Sequence, residues 1–133
     1  MSQEVWINLP VQNVERSTAF FNEIGFRADS TGNERARLVV GGTTIMLFPV
    51  ATFEKFTGSR AADTSQSAEV IFSIGADSRE EVDAFIHRVE LAGGSIFGRP
   101  GEIDGWMYGA GFADLDGHRW NLLYMDESKL PQR

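Results

Sequence analysis

From Glu4 to Pro49 the sequence spells strand, helix and three strands, and from Glu69 to Asp126 it spells the same order again. An internal repeat at the level of elements constrains a fold more than any single residue does, because each copy must bury an equivalent apolar face. At 133 residues the chain is one domain, 1–133, large enough to bury a proper core. Within it, module one is expected over about 1–50, a connection over about 51–68 and module two over about 69–126.

In the first copy, Glu4 to Val11 reads as a strand with Pro10 near its end. Proline donates no ladder hydrogen bond and so belongs at an edge or a strand end. Trp6 and Asn8 fall on one face; Val5, Ile7 and Leu9 fall on the other. Asn13 is a helix N-cap, Val14, Phe20, Phe21 and Ile24 form an apolar stripe, and Gly25 is the stop. Phe26 to Asp29 begins a second strand, with a turn at Thr31–Glu34. Arg35 to Val40 and Thr43 to Pro49 follow as a hairpin about Gly41-Gly42. Phe53 and Phe56 suit one helical turn. The small, polar stretch from Gly58 to Ser67 reads either as a mobile flap or as a plain linker.

In the second copy, Glu69 to Gly75 is a strand and Ser78-x-x-Glu81 is a capping box. Val82, Phe85, Ile86 and Val89 mark one helical face, and Gly93-Gly94 ends it. Ser95 to Phe97 is expected as a short strand and Gly98-Arg99-Pro100-Gly101 as a loop. The last hairpin, Trp106 to Asp126, turns at Asp114-Leu115-Asp116-Gly117, where the glycine supplies positive φ. Alternation puts Arg119, Asn121 and Leu123 on one face and His118, Trp120, Leu122 and Tyr124 on the other. An Asn amid so apolar a strand marks either a polar, half-exposed face or a group placed in a ligand cavity.

Nineteen acidic residues against twelve basic ones leave a net charge of −7. That balance disfavours nucleic acid and anionic membrane as partners. Without cysteine there is no disulfide, thiolate metal site or Cys nucleophile. No apolar run reaches membrane-span length, and Met-Ser-Gln-Glu-Val-Trp does not open a signal peptide, so the cytoplasm is the expected compartment.

The Asp-Leu-Asp-Gly hairpin with Asn121 four positions past its glycine resembles the C-terminal hairpin of the vicinal oxygen chelate superfamily. That group holds glyoxalase I, extradiol dioxygenases, fosfomycin-resistance enzymes and bleomycin-resistance proteins. Ile7-Asn8-Leu9-Pro10-Val11 with Val14 to Phe21 resembles its first strand and helix. Met46-Leu47, Phe53-x-x-Phe56 and Met107-Tyr108-Gly109 resemble a subgroup described as predicted lactoylglutathione lyases. The resemblance implies an α+β fold of two βαβββ modules, whose curved mixed sheets form a cup that holds the ligand. It also implies a homodimer, for which Pro10 and the short Ser95–Phe97 strand would leave edges to cover.

Metal-dependent members of that superfamily carry His or Glu once in the first and last strand of each module. Those positions fall here on Trp6, on Ile45 or Met46, on Ile71 (or Glu69 if the register slips by two) and on Asn121. Divalent ions prefer carboxylate, imidazole or thiolate donors, which the best-matched residues do not offer. His87 and His118 are expected to be non-ligands. No metal and no cofactor is therefore expected. The candidate ligand-binding residues are Trp6, Asn8, Trp106, Tyr108, Asn121 and Leu123, aromatic and amide groups of the kind that line small-molecule sites; no catalytic residue is singled out. Two functions stay open. One is a metal-free small-molecule binder resembling the bleomycin-resistance branch. The other is a metal-dependent lyase, isomerase or dioxygenase of the glyoxalase type.

Overall fold

The computed structural model describes residues 3–129. The described residues divide into two compact units, 3–63 and 64–129. Each is a helix packed on one face of a four-stranded mixed sheet.

The first unit runs β1 (Trp6–Val11), α1 (Val14–Glu23), β2 (Arg27–Thr31), β3 (Arg35–Val40), β4 (Thr43–Pro49) and α2 (Val50–Thr57). The strand order is β1-β4-β3-β2, with β1 parallel to β4 and the other pairs antiparallel. Asn13 caps α1 by accepting the Arg16 amide at 3.0 Å, satisfying a first-turn donor that has no helical partner. Val14, Phe20 and Phe21 then face Leu9, Val11, Leu38, Ile45 and Leu47, all buried. The Asn22 amide fastens the end of α1 to β2, donating to the Ala28 carbonyl at 2.9 Å and accepting the Ala28 amide at 3.0 Å. Pro10 sits on β1, an edge strand, where a missing amide proton costs no central ladder bond.

The second unit runs β5 (Ile71–Ala76), α3 (Arg79–Ala92), β6 (Ser95–Ile103), β7 (Met107–Ala113), β8 (Arg119–Met125) and a short 3₁₀ turn at Glu127–Lys129. Its order, β5-β8-β7-β6 with β5 parallel to β8, repeats that of the first unit. Ser78 caps α3 through the Glu81 amide, and the Glu81 carboxylate reaches back to the Asp77 amide. Val82, Phe85, Ile86 and Val89 pack against Phe112, Trp120 and Leu122; the Phe112 and Trp120 rings stack at 6.1 Å. The fold is thus α+β with two βαβββ modules, as the sequence leads one to expect.

One expectation fails. Ser95–Phe97 is not a short strand followed by a loop: β6 continues for nine residues to Ile103. Its pairing with β7 shifts register between Ile96 and Gly98 and again between Gly98 and Gly101. Gly98, Pro100 and Gly101 are absorbed as irregularities because β6 is an edge strand, where bulges and a missing donor are tolerated.

Candidate functional site

In each unit the helix covers one face of the sheet and the other face stays open. Strand register places three cross-strand rows on the open face of the first unit. Trp6, Thr44, Val39 and Arg27 form one; Asn8, Met46, Arg37 and Asp29 the next; the pairs Pro10–Phe48 and Arg35–Thr31 continue the face into the third. A concavity of about 660 Å³ lies here, lined by Trp6, Thr44, Met46, Phe48, Arg35 and Arg37 among others. That volume lies in the range of small-molecule sites. Trp6 is 58% exposed, an unusual position for the largest apolar side chain. Phe48 makes an edge-to-face contact with Phe56 of α2 at 4.9 Å.

On the open face of the second unit the rows are Ile71, Arg119 and Ala113; Ser73, Asn121, Gly111 and Gly98; and Gly75, Leu123, Gly109 and Gly101. Asn121 and Leu123 line a concavity of about 260 Å³ with Phe97, Gly109 and Gly111. The glycines make room. A Cβ on Gly111 would collide with the Phe97 ring, and one on Gly109 would meet Leu123 and the Leu122 carbonyl. The Oδ1 of Asn121 is buried and has no hydrogen-bond partner among the described residues. An unmet buried acceptor is costly and rare.

Among the sequence candidates, Trp6 and Asn8 share the first unit's open face, and Asn121 and Leu123 share the second's. Tyr108 points the other way. It pairs with Tyr124 on the helix side, its hydroxyl donates to Asp83 of α3 at 2.6 Å, and that bond is the main reason its pKa is raised. Arg79, held by Glu102 at 2.8 Å, lies over both tyrosine rings. Trp106 is in the tight turn before β7 and does not line either concavity. The sequence reading missed Arg35, Arg37 and Phe97. An Arg-x-Arg in a strand signals only a polar face until register shows what stands beside it.

The superfamily metal positions resolve onto these same faces. Of the two fourth-strand candidates, Ile45 is 2% exposed and faces α1, while Met46 is on the open face in the row of Asn8 and Arg37. At the positions that the resemblance implies, the first unit presents the indole of Trp6 and the thioether of Met46, and the second presents the alkyl chain of Ile71 and the amide of Asn121, each a poor donor for a hard or borderline divalent ion. Among the described residues, no three of His, Asp and Glu converge on a point that could take one. His118 is buried beside the β7–β8 turn and His87 is exposed on α3.

The turn itself is locked by Asp114, which is 6% exposed. Its Oδ1 accepts the amides of Asp116 and His118, each at 3.0 Å, and its Oδ2 accepts the Trp120 indole N–H at 3.1 Å. Burial raises the Asp114 pKa despite these donors and despite His118 nearby.

Paired βαβββ units with open, cavity-bearing sheet faces define a class of small-molecule-handling proteins. The chain belongs to the glyoxalase/bleomycin resistance protein/dioxygenase superfamily, whose pattern matches residues 5–122. A hypothetical protein from S. aureus is 34% identical and superposes with a TM-score of 0.84, covering 93% of this chain and 94% of that one. A glyoxalase-related enzyme from Fulvimarina pelagi has 21% identity and a TM-score of 0.81, over 92% of this chain and 88% of that one. The fosfomycin resistance protein FosX from Listeria monocytogenes has 20% identity and a TM-score of 0.70, over 98% and 99%. No curated protein matches the sequence. Among the described residues, no helix is long and apolar enough to cross a membrane.

Proposed function

We propose that this protein binds a small organic molecule on its open sheet faces without a protein-held divalent metal, in the manner of a sequestering protein. The observation that carries the proposal is the chemistry at the four superfamily metal positions. All four lie on open faces, and Trp6, Met46, Ile71 and Asn121 replace charged donors by apolar surface and one amide. Trp6 and Phe48 offer flat stacking area, and Asn121 Oδ1 offers an acceptor to a ligand N–H or O–H. Asn8, beside Met46, and Leu123, beside Asn121, extend the two surfaces.

FosX of Listeria monocytogenes, a fold neighbour at 19% identity, has been solved with Mn(II) and sulfate. A metal-dependent reading of the present chain would need a ligand set of that kind. Metal analysis of protein purified without chelator, with thermal melts in Zn²⁺, Ni²⁺, Fe²⁺ and Mn²⁺, tests the proposal. Sub-stoichiometric metal and unchanged melts are expected. One equivalent of bound ion with a raised melting temperature would overturn it in favour of a lyase, isomerase or dioxygenase.

The same reading places the protein in the cytoplasm as a homodimer. Exposed Val70 and Leu91, with the free edges of β1 and β6, are surface that a second copy can cover. Light scattering at micromolar concentration should give twice the 14.7 kDa chain mass; the single chain mass would reject the dimer.

A further inference from the structure

We infer that the open face of the first unit is a site for an organic carboxylate with a flat apolar body, the carboxylate held by Arg35 and Arg37. The inference rests on the small-molecule reading above and gives that ligand a chemical class.

Arg35 and Arg37 are alternate residues of β3, so they project from the same face about 7 Å apart. Both line the 660 Å³ concavity. Neither is engaged in an ion pair among the described residues. That sets them apart from Arg79 and Arg99, which bind Glu102 and Glu90 at 2.8 Å. In a chain with nineteen acidic residues and twelve basic ones, two neighbouring guanidinium groups without a carboxylate partner are conspicuous. An arriving anion need not displace an internal ion pair to reach them.

Register supplies the rest of the ligand's outline. Met46 on β4 stands directly beside Arg37, one strand spacing of about 4.8 Å away, and Phe48 and Arg35, each two residues along from that pair, line the same concavity. Trp6 on β1 continues the apolar surface. A cationic column thus runs alongside an apolar, aromatic one. Guanidinium planes match the two oxygens of a carboxylate, and indole and phenyl faces accept a flat body by stacking. The acidic groups on this face are Glu4, which lines the concavity, and Asp29, level with Arg37 on β2. With Arg27 on the same face as well, three positive groups meet two negative ones, so the face favours a single negative charge.

Calorimetric titration of the full chain with 2-naphthoate, and with 2-naphthamide as its uncharged isostere, tests this. Naphthoate is expected to bind at least about fivefold more tightly than the amide, a preference that fades with added salt. Arg35→Met and Arg37→Met should each weaken naphthoate about fivefold and leave the amide unchanged. Glu4→Gln should tighten naphthoate by a similar factor, a gain that a folding defect cannot mimic. Equal binding of acid and amide, or indifference to the arginine and Glu4 substitutions, would overturn the inference. If Asn121→Ala alone abolished binding, the carboxylate site would fall and the small-molecule reading would stand. Bound stoichiometric metal would overturn that reading instead, whatever naphthoate does.

Discussion

The indole N–H of Trp120 donates to Oδ2 of Asp114 across 3.1 Å, tying the beginning of β8 to the start of the turn that precedes it. The same carboxylate takes two turn amides, so one side chain satisfies three donors in a site closed to water. Asp114→Ala would leave all three unmet. A loss of roughly 3 kcal/mol in urea unfolding is expected, since each orphaned buried donor costs about 1–3 kcal/mol and local relaxation recovers part of it.

Asp114 also sets a pH dependence. Its pKa in the folded protein is raised by burial above the unfolded value of about 3.9. A group that holds its proton more tightly when folded stabilises the protein fully below its unfolded pKa. That contribution is lost as pH rises through the folded pKa. The melting-temperature advantage of the wild type over Asp114→Asn should therefore shrink from pH 4 to pH 7. An advantage that grows over this range would mean that the three N–H donors outweigh burial.

Gly117 closes the same turn with φ of 86°, and a Cβ there would lie 2.6 Å from the Thr64 carbonyl oxygen. Thr64 is docked against the turn, its hydroxyl donating to the Asp116 carbonyl. Gly117→Ala meets both a disfavoured backbone region and an immovable backbone atom. It should cost about 2 kcal/mol or more by denaturant unfolding. A cost below about 0.5 kcal/mol would show that Thr64 does not seat there.

Gly109 and Gly111 differ in what surrounds them. A Cβ on Gly109 would come within 2.9 Å of the Leu122 carbonyl, whereas one on Gly111 would strike only the Phe97 ring. Phe97 is half exposed and can swing away. Gly109→Ala should destabilise by about 1–3 kcal/mol. Gly111→Ala should cost less and instead displace Phe97 from the concavity. Equal losses in the two melts would contradict this difference.

Asn121→Glu brings a carboxylate into the partly buried wall of that concavity. Without a cation the charge should cost about 1–3 kcal/mol at neutral pH or raise its own pKa. The loss should be smaller at pH 4, where the group is neutral. Added divalent ion should not restore the melt, because the neighbours Ser73, Gly111 and Leu123 on that face supply no charged donor. Strong rescue would show that the rest of a metal site is present.

The sequence determined the element order and which face of each element turns inward. Those depend on local causes: Asn13 and Ser78 as caps, Gly25 and Gly93 as stops, the period of Val82, Phe85, Ile86 and Val89, and alternation about Asn121. The family resemblance carried by the sequence also implies metal positions that fall on Trp6, Ile45 or Met46, Ile71 or Glu69, and Asn121. Only the tertiary structure decided what depends on neighbours distant in the chain. Pairing with β7 turned the Gly98–Gly101 stretch into the edge strand β6, because the ladder bonds that hold it come from residues about ten positions away. The helix-side contact with Asp83 removed Tyr108 from the open face, though alternation alone left both faces of that strand available. Register across three strands set Arg37 beside Met46 and put Arg35, Phe48 and Trp6 on the same concavity. Spacing along one strand records which side a residue takes; what stands beside it is written only in the hydrogen-bonded alignment of strands.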